Sequence, residues 1–165
     1  MSLLDILIFP DPGLKTIAAP VQQIDDEIKQ LVRDMLDTMH HAEGIGLAAT
    51  QVNINKRIAV IDISENKKAP LCIINPVITQ HNGKISWQEG CLSFPGIYTN
   101  VKRYETVTVE YQDLDNKPQT INATGLLSVC LQHEIDHLNG ITFYERISTL
   151  RRTLLKKKLK GLGKE

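Results

Sequence analysis

Long apolar runs are missing from this sequence, and so is any excess of charge of one sign. No stretch approaches the roughly 20 apolar residues that a helix needs to cross a bilayer, which argues against a transmembrane protein. Residues 1–10 lack a basic start and a long apolar middle, so no secretory signal is visible and a cytoplasmic location is expected. Cysteine is scarce: Cys72, Cys91 and Cys130 are too few, and odd in number, for a disulfide framework, which leaves packing, reactivity or metal binding as their roles. Aromatic residues make up only 5%. No fixed-period repeat, low-complexity tract or Gly/Ser linker divides the chain. What is there is 165 residues, 42% hydrophobic and 23% charged, enough apolar material for one sizeable core. A single domain over residues 1–165 is expected.

The net charge of zero hides an asymmetry. Residues 151–165 carry seven Lys or Arg and one acid, and the remaining 150 carry 12 basic against 18 acidic residues, so the tail is a separate electrostatic object.

Ile24, Ile28, Leu31, Val32, Met35, Leu36 and Met39 recur at the three- and four-residue spacing of one helical face, with Asp25, Asp26 and Glu27 crowding its start. The helix runs into a loop at Gly44-Ile45-Gly46, where glycine permits close backbone approach. Arg57 to Ile63 and Pro70 to Ile74 read as buried strands, and Lys84 to Trp87 as a further one. Thr106 to Gln112 and Gln119 to Ala123, joined by turn residues, read as a hairpin. A second helix is predicted from an N-cap at Thr124 to Asn139-Gly140. A third, amphipathic helix follows from about Thr149 to Lys160, with Leu150, Leu154, Leu155 and Leu159 on one side. This order predicts an α+β fold, with antiparallel or mixed sheets packed around the second helix, an N-terminal helix and a basic C-terminal helix and tail over residues 148–165.

The sharpest motif is His133-Glu134-Ile135-Asp136-His137, an H-E-x-x-H on the second helix. Residues four apart share a helix face, so the two imidazoles can converge on one metal ion while Glu134 lies beside it, free for proton transfer. The alternative is two helix histidines with a solvated acid between them. A third ligand must come from elsewhere, and Cys91, His40, His41, His81 and many carboxylates are available. Cys91, next to Gly90 and able to bind a cation as thiolate, is the best of these, although a lone cysteine is more often a small buried hydrophobe. Cys72 and Cys130 fit that second description.

Three separated blocks, Gly44-Ile45-Gly46-Leu47-Ala48-Ala49-Thr50-Gln51, Glu89-Gly90-Cys91-Leu92-Ser93 and Gln132-His133-Glu134-Ile135-Asp136-His137, together resemble the peptide deformylase family in order and spacing. The resemblance extends from Phe9-Pro10-Asp11-Pro12 to about Ser148. It implies a hydrolase that removes the N-formyl group from the initiator methionine of nascent polypeptides and releases formate. By matching position it implies Cys91, His133 and His137 as metal ligands and Glu134 as acid/base. Three protein ligands leave a position for water, whose pKa a divalent ion lowers, so that the hydroxide attacks the formyl carbon. The side-chain amide of Gln51 and the backbone N–H of Leu92 match the family's oxyanion donors. Ile45, Trp87 and His133 match positions lining its methionine pocket, and Leu126, Val129 and Cys130 are further candidates from the helix. Backbone around Ile45 and Gly46 would hold the peptide extended, as an added strand is held. Trp87 and Tyr98 depart from better-known members, which have an aliphatic residue and an arginine there. Glu89 and Arg103 match an ion pair behind the ligand loop. The implied native metal is Fe²⁺, with Zn²⁺, Ni²⁺ or Co²⁺ able to substitute.

Arg151, Arg152, Lys156, Lys157, Lys158 and Lys160 form a basic stripe suited to phosphate backbones, and a salt-sensitive contact with the ribosome or its RNA is expected, without membrane binding or sequence-specific DNA binding. Three rivals remain at this point: a zinc peptidase, which would cleave internal peptide bonds, an RNA-binding module with a structural metal, which would keep its function without Glu134, and a catalytically weak relative of the family, against which the intact motifs count.

Overall fold

The computed structural model describes residues 2–162, so the last three residues of the expected basic tail lie outside the described residues. The first helix, α1 (Asp26–His41), is capped by Asp25, whose side chain accepts the Ile28 N–H at 3.0 Å, and the acids Asp26 and Glu27 sit at its positive end. Its buried stripe is Ile28, Val32, Met35 and Met39. The chain then forms β1 (Gly46–Ala48), a short 3₁₀ turn over Ala49–Val52, β2 (Ile58–Ile61) and β3 (Leu71–Asn82). The expected loop at Gly44-Ile45-Gly46 is therefore cut short by a strand. Three residues carry no readable period, and β1 owes its form to pairing with β2, Gly46 opposite Ile61.

The strand expected at residues 70–74 continues to Asn82 through a bulge, with a register shift between Ile74 and Val77. Asn75 takes a left-handed backbone (φ 52°) and anchors the bend by bonding both polar atoms of Val21, while Pro76 falls where no ladder donor is needed. A two-stranded hairpin follows, β4 (Ile85–Cys91) with β5 (Phe94–Arg103). Nothing in the sequence pattern announced β5. Its inward positions include Thr99 and Arg103, and Pro95, Gly96 and Asn100 are poor strand formers, so its alternation is disguised. β6 (Thr106–Gln112) and β7 (Pro118–Thr124) form the predicted hairpin. Then come α2 (Gly125–Leu138), a 3₁₀ turn at Phe143–Arg146 and α3 (Thr149–Leu162). Thr124 is the N-cap of α2, but its side chain makes no capping bond.

The architecture is α+β. Five strands in the order β1-β2-β3-β6-β7 form one sheet and β4-β5 another, with every strand pair antiparallel, so the mixed alternative does not apply among the described residues. Strand periodicity explains why β2 is apolar throughout: Ala59 and Ile61 face the α2 side, whereas Ile58 and Val60 face α1. α2 thus lies against one face of the five-stranded sheet with α1 on the other, and the β4-β5 hairpin closes over α2 with Phe94, Ile97, Val101 and Phe143 as its own apolar cluster. Past α2, Gly140 turns with φ 73°, and any Cβ there would meet the Lys15 carbonyl oxygen at 2.5 Å.

Candidate active site

Every residue of α2 from Ser128 to Leu138 is buried, including Gln132, His133, Glu134, Asp136 and His137. Polar groups withdrawn from water cost free energy unless matched, so where their bonds go is informative. Gln132 bonds the Tyr104 backbone at both its N–H and its carbonyl. Asp136 accepts from Arg103 at 2.7 Å and from Arg146 at 2.7 Å. Arg103 also grips Glu89 through two nitrogens at 2.7 and 2.9 Å, the expected ion pair, and Glu89 accepts from His133 Nδ1 at 2.8 Å. That bond fixes the tautomer of His133 and turns its Nε2 lone pair the other way. Burial alone would raise the Glu89 carboxyl, but hydrogen bonds from Arg103 and His133 outweigh it and hold Glu89 below the usual range.

The freed Nε2 of His133 lies 3.2 Å from His137 Nε2, which lies 3.4 Å from Cys91 Sγ. The ligand atoms of the three residues all fall within 4.8 Å of one another. Ligand atoms around one tetrahedral ion with ordinary metal–nitrogen and metal–sulfur bonds are separated by about 3.3 Å (N to N) and about 3.5 Å (S to N), close to the two separations that His137 makes, so the donor set suits a single ion. Burial holds the His137 pKa well below the ordinary imidazole value and keeps that ring neutral, the form that binds metal. Burial pushes the Cys72 and Cys130 thiols up to about 12, which keeps them as inert packing groups. The other histidines are elsewhere: His40 pairs with Asp62 at 3.2 Å, His81 stacks on Tyr104 and His41 is exposed.

Two polar atoms of this region have no hydrogen-bond partner, Glu134 Oε1 and His137 Nδ1. Burial pushes the Glu134 carboxyl up to about 7. Its position depends on Gly46, because a Cβ at that residue would lie 2.3 Å from Glu134 Oε2. Gln51 is buried rather than a surface amide. Its Oε1 accepts the Ala48 N–H at 2.9 Å, and its Nε2 points at Ser93 Oγ (3.1 Å) and Cys91 Sγ (3.5 Å).

A cavity of about 470 Å³ opens beside this cluster. Leu92, Ile45, Gly46, Trp87, Leu126, Val129 and Cys130 all line it with Cys91, His133 and Glu134, whereas His137 lies behind. Sequence reasoning missed Asp136, which braces Arg103, Arg146, which donates to Asp136 in turn, and Ser93, which orients Gln51. It also missed the wall built by Ile97 and its neighbours on β5. For Asp136 a signal existed: an acid on a helix otherwise apolar enough to be central requires a cationic partner.

Fold and cluster define a class: an α+β protein whose central helix presents two histidines to a cysteine on a neighbouring hairpin, an arrangement able to hold one metal ion beside a free carboxylate. Comparison with known proteins narrows the class. Residues 3–153 match the model of the polypeptide deformylase family. The chain is 52% identical over 160 residues to "Peptide deformylase 1" of Pseudomonas syringae, covering 96% of this chain and 95% of that one. It is 51% identical over 166 residues to a peptide deformylase of Stutzerimonas stutzeri, with 100% and 99% covered. The crystal structure of a peptide deformylase from Legionella pneumophila superposes with a TM-score of 0.94 at 44% identity, covering 99% and 96% of the two chains. That of the Synechococcus elongatus enzyme in complex with actinonin gives 0.91 at 47% identity, covering 97% and 88%. The chain belongs to the polypeptide deformylase family, whose members are metal-dependent hydrolases.

Proposed function

We propose that this chain, acting as one catalytic domain over residues 1–165, removes the N-formyl group from the initiator formyl-methionine of nascent polypeptides and releases formate. The observation that carries the reading is the convergence of Cys91, His133 and His137 on one point, with the unpartnered Glu134 Oε1 beside them, in a chain of this family. Cys91, His133 and His137 hold the metal. A sulfur and two imidazoles suit Fe²⁺, with Zn²⁺, Ni²⁺ or Co²⁺ as substitutes, rather than the oxygen-seeking Mg²⁺ or Ca²⁺. When bound, such a cation acidifies a water and polarises the formyl oxygen.

The protein's own groups do the rest. Glu134 Oε1 takes a proton from the attacking water and returns it to the departing amine nitrogen, serving as base and then acid. Gln51 Nε2 and the Leu92 backbone N–H donate to the oxygen of the formyl carbon as it gains charge. Ser93 and the Ala48 N–H keep the Gln51 amide from rotating away. Methionine enters the cavity between Trp87 and the α2 residues Leu126, Val129 and Cys130, while backbone at Ile45 and Gly46 pairs with the extended peptide. No helix among the described residues is long and apolar enough to cross a membrane. The proposed setting is the cytoplasm, at the ribosome, through the lysines of α3.

The test is formate release from formyl-Met-Ala-Ser by anaerobically purified enzyme, beside its unformylated and internal-amide analogues. Formate from the first substrate alone is expected, and Glu134→Ala should lower kcat by about 10²–10⁴-fold with the metal retained. Cleavage of internal bonds would assign a peptidase instead, and full activity of Glu134→Ala would remove Glu134 from the chemistry.

A further inference from the structure

Gln88, Ile97 and Tyr98, which bound the metal-cluster cavity on one side, also bound a second hollow on the other. This hollow, about 280 Å³, runs between β5 and α3, with Leu154 and Lys158 on its far bank. Along it Arg151 Nη1 donates to the Asn100 carbonyl at 2.7 Å and ties the helix to the strand. Ile97 and Leu155, exposed by only 4% and 7%, belong to one apolar cluster and form its floor. The banks are different. Tyr98 is 68% exposed and Leu154 56%, two largely apolar side chains facing a groove that no other described residue covers. Tyr98 lies across the lip between the two hollows only because its cross-strand partner is Gly90, where a Cβ would stand 2.7 Å from the ring. Arg151 and Lys158 give the groove positive charge, and no acidic residue lines it among the described residues.

We infer that this groove receives the downstream part of the substrate chain, the residues following those held at the metal cluster, and that it favours an apolar side chain flanked by acidic ones. The occupant follows from continuity: a polypeptide with its N-terminus in the first cavity must leave over a lip, and beyond the Tyr98 lip lies a second hollow that shares Gln88 and Ile97 with the first. The sign of charge follows from Arg151 and Lys158. The inference rests on the deformylase reading given above.

The experiment compares formyl-Met-Ala-Ser with the same peptide extended by six residues carrying Leu between aspartates, in ribosome-free assays. The extended peptide should show a KM lower by roughly fivefold at similar kcat, the pattern of binding energy gained equally in ground and transition states. Leu154→Asp and Lys158→Glu, both exposed positions on α3, should erase that advantage and leave tripeptide kinetics unchanged. An extension carrying lysines instead should gain from Lys158→Glu. Equal KM for the two lengths in the wild type, or an advantage surviving both substitutions, overturns the inference while leaving the deformylase reading intact. An RNA oligonucleotide bound by the wild type but not by Lys158→Glu, with no length effect on peptides, assigns the groove to RNA and overturns it too. Absence of formate from the tripeptide itself strikes the deformylase reading, and the inference falls with it.

Discussion

α2 and α3 are helices of the same length that treat charge in opposite ways. α2 buries His133, Glu134, Asp136 and His137: Glu89 holds His133 and two arginines hold Asp136, while Glu134 Oε1 is left without a partner beside the ligand atoms. α3 leaves Lys156, Lys157, Lys158 and Lys160 exposed and buries Leu155, while Leu150 and Leu154 stand 71% and 56% exposed. The apolar stripe expected along α3 is therefore covered only in part. Its two arginines are committed: Arg151 bonds Asn100, and Arg152 bonds the carbonyls of Tyr144 and Glu145. The lesson is that charge withdrawn from water must be satisfied atom by atom and becomes structure, whereas charge left in water stays available to partners and contributes little to the fold.

That contrast predicts steep losses on α2 and its contacts. The largest should follow Cys91→Ala, which leaves two imidazoles to hold the ion. Disturbing even the supporting partners of metal ligands commonly weakens binding by 10- to 100-fold, and removing a ligand should exceed that. Metal analysis after anaerobic purification should find the variant lacking the stoichiometric ion of the wild type, with formate release lost in parallel. Next comes Glu89→Gln, which leaves Arg103 and His133 facing a neutral amide in a dry site. Breaking a buried pair from one side costs on the order of 3–5 kcal/mol, readable by urea unfolding of the metal-free protein. The same residue sets a pH dependence. Glu89 is held below its ordinary 4.5, so the folded state binds fewer protons than the unfolded one in that window. Its stabilising contribution is complete above about 4.5 and disappears as pH falls through the lower folded value. Wild type should lose this increment of stability on acidification, and Glu89→Gln should lack it.

A third and smaller effect isolates position from chemistry. Gly46→Ala leaves every ionisable group in place but puts a methyl where Glu134 Oε2 lies, 2.3 Å from the ideal Cβ. Displacing the carboxylate by an ångström should lower kcat by about 100-fold with metal content unchanged, since misplacement of that order costs as much elsewhere. Unchanged kcat would mean that Glu134 has room to recover, and that the close packing of β1 on α2 is incidental.

Legibility in the sequence followed the same divide. The H-E-x-x-H pair could be placed on one helix face because period and spacing are local properties, and the buried stripe of α1 was readable for the same reason. Cys91 could not be chosen from spacing alone, since its approach to His137 depends on a hairpin whose second strand, β5, hides its alternation behind Arg103, Thr99 and Gly96. The resemblance in three blocks supplied what periodicity could not. The brace formed by Asp136, Arg103 and Arg146 stayed hidden because it joins residues 33 and 10 positions apart, a distance over which sequence carries no pattern. On α3 the leucine spacing gave the helix and its apolar side, but spacing carries no information on what covers that side: Leu155 is buried, whereas Leu150 and Leu154 stay exposed among the described residues.

The smallest expected effect on the fold is the sharpest test of the contrast. Lys156, Lys157 and Lys160 are exposed and have no ion pair among the described residues. Replacing all three by glutamate should change stability by no more than about 0.5 kcal/mol per site, the usual scale for surface positions away from caps and cores. Formyl-Met-Ala-Ser should turn over as in the wild type, because these lysines line neither hollow. What should change is co-sedimentation with ribosomes. If exposed lysines meet phosphates, binding falls steeply with added salt, and reversing three charges should remove it at a salt concentration where the wild type still pellets. Retained, salt-insensitive binding would show that α3 docks through its exposed leucines. The division between charge used inside the fold and charge kept for partners would then fail at the helix where it is most plainly drawn.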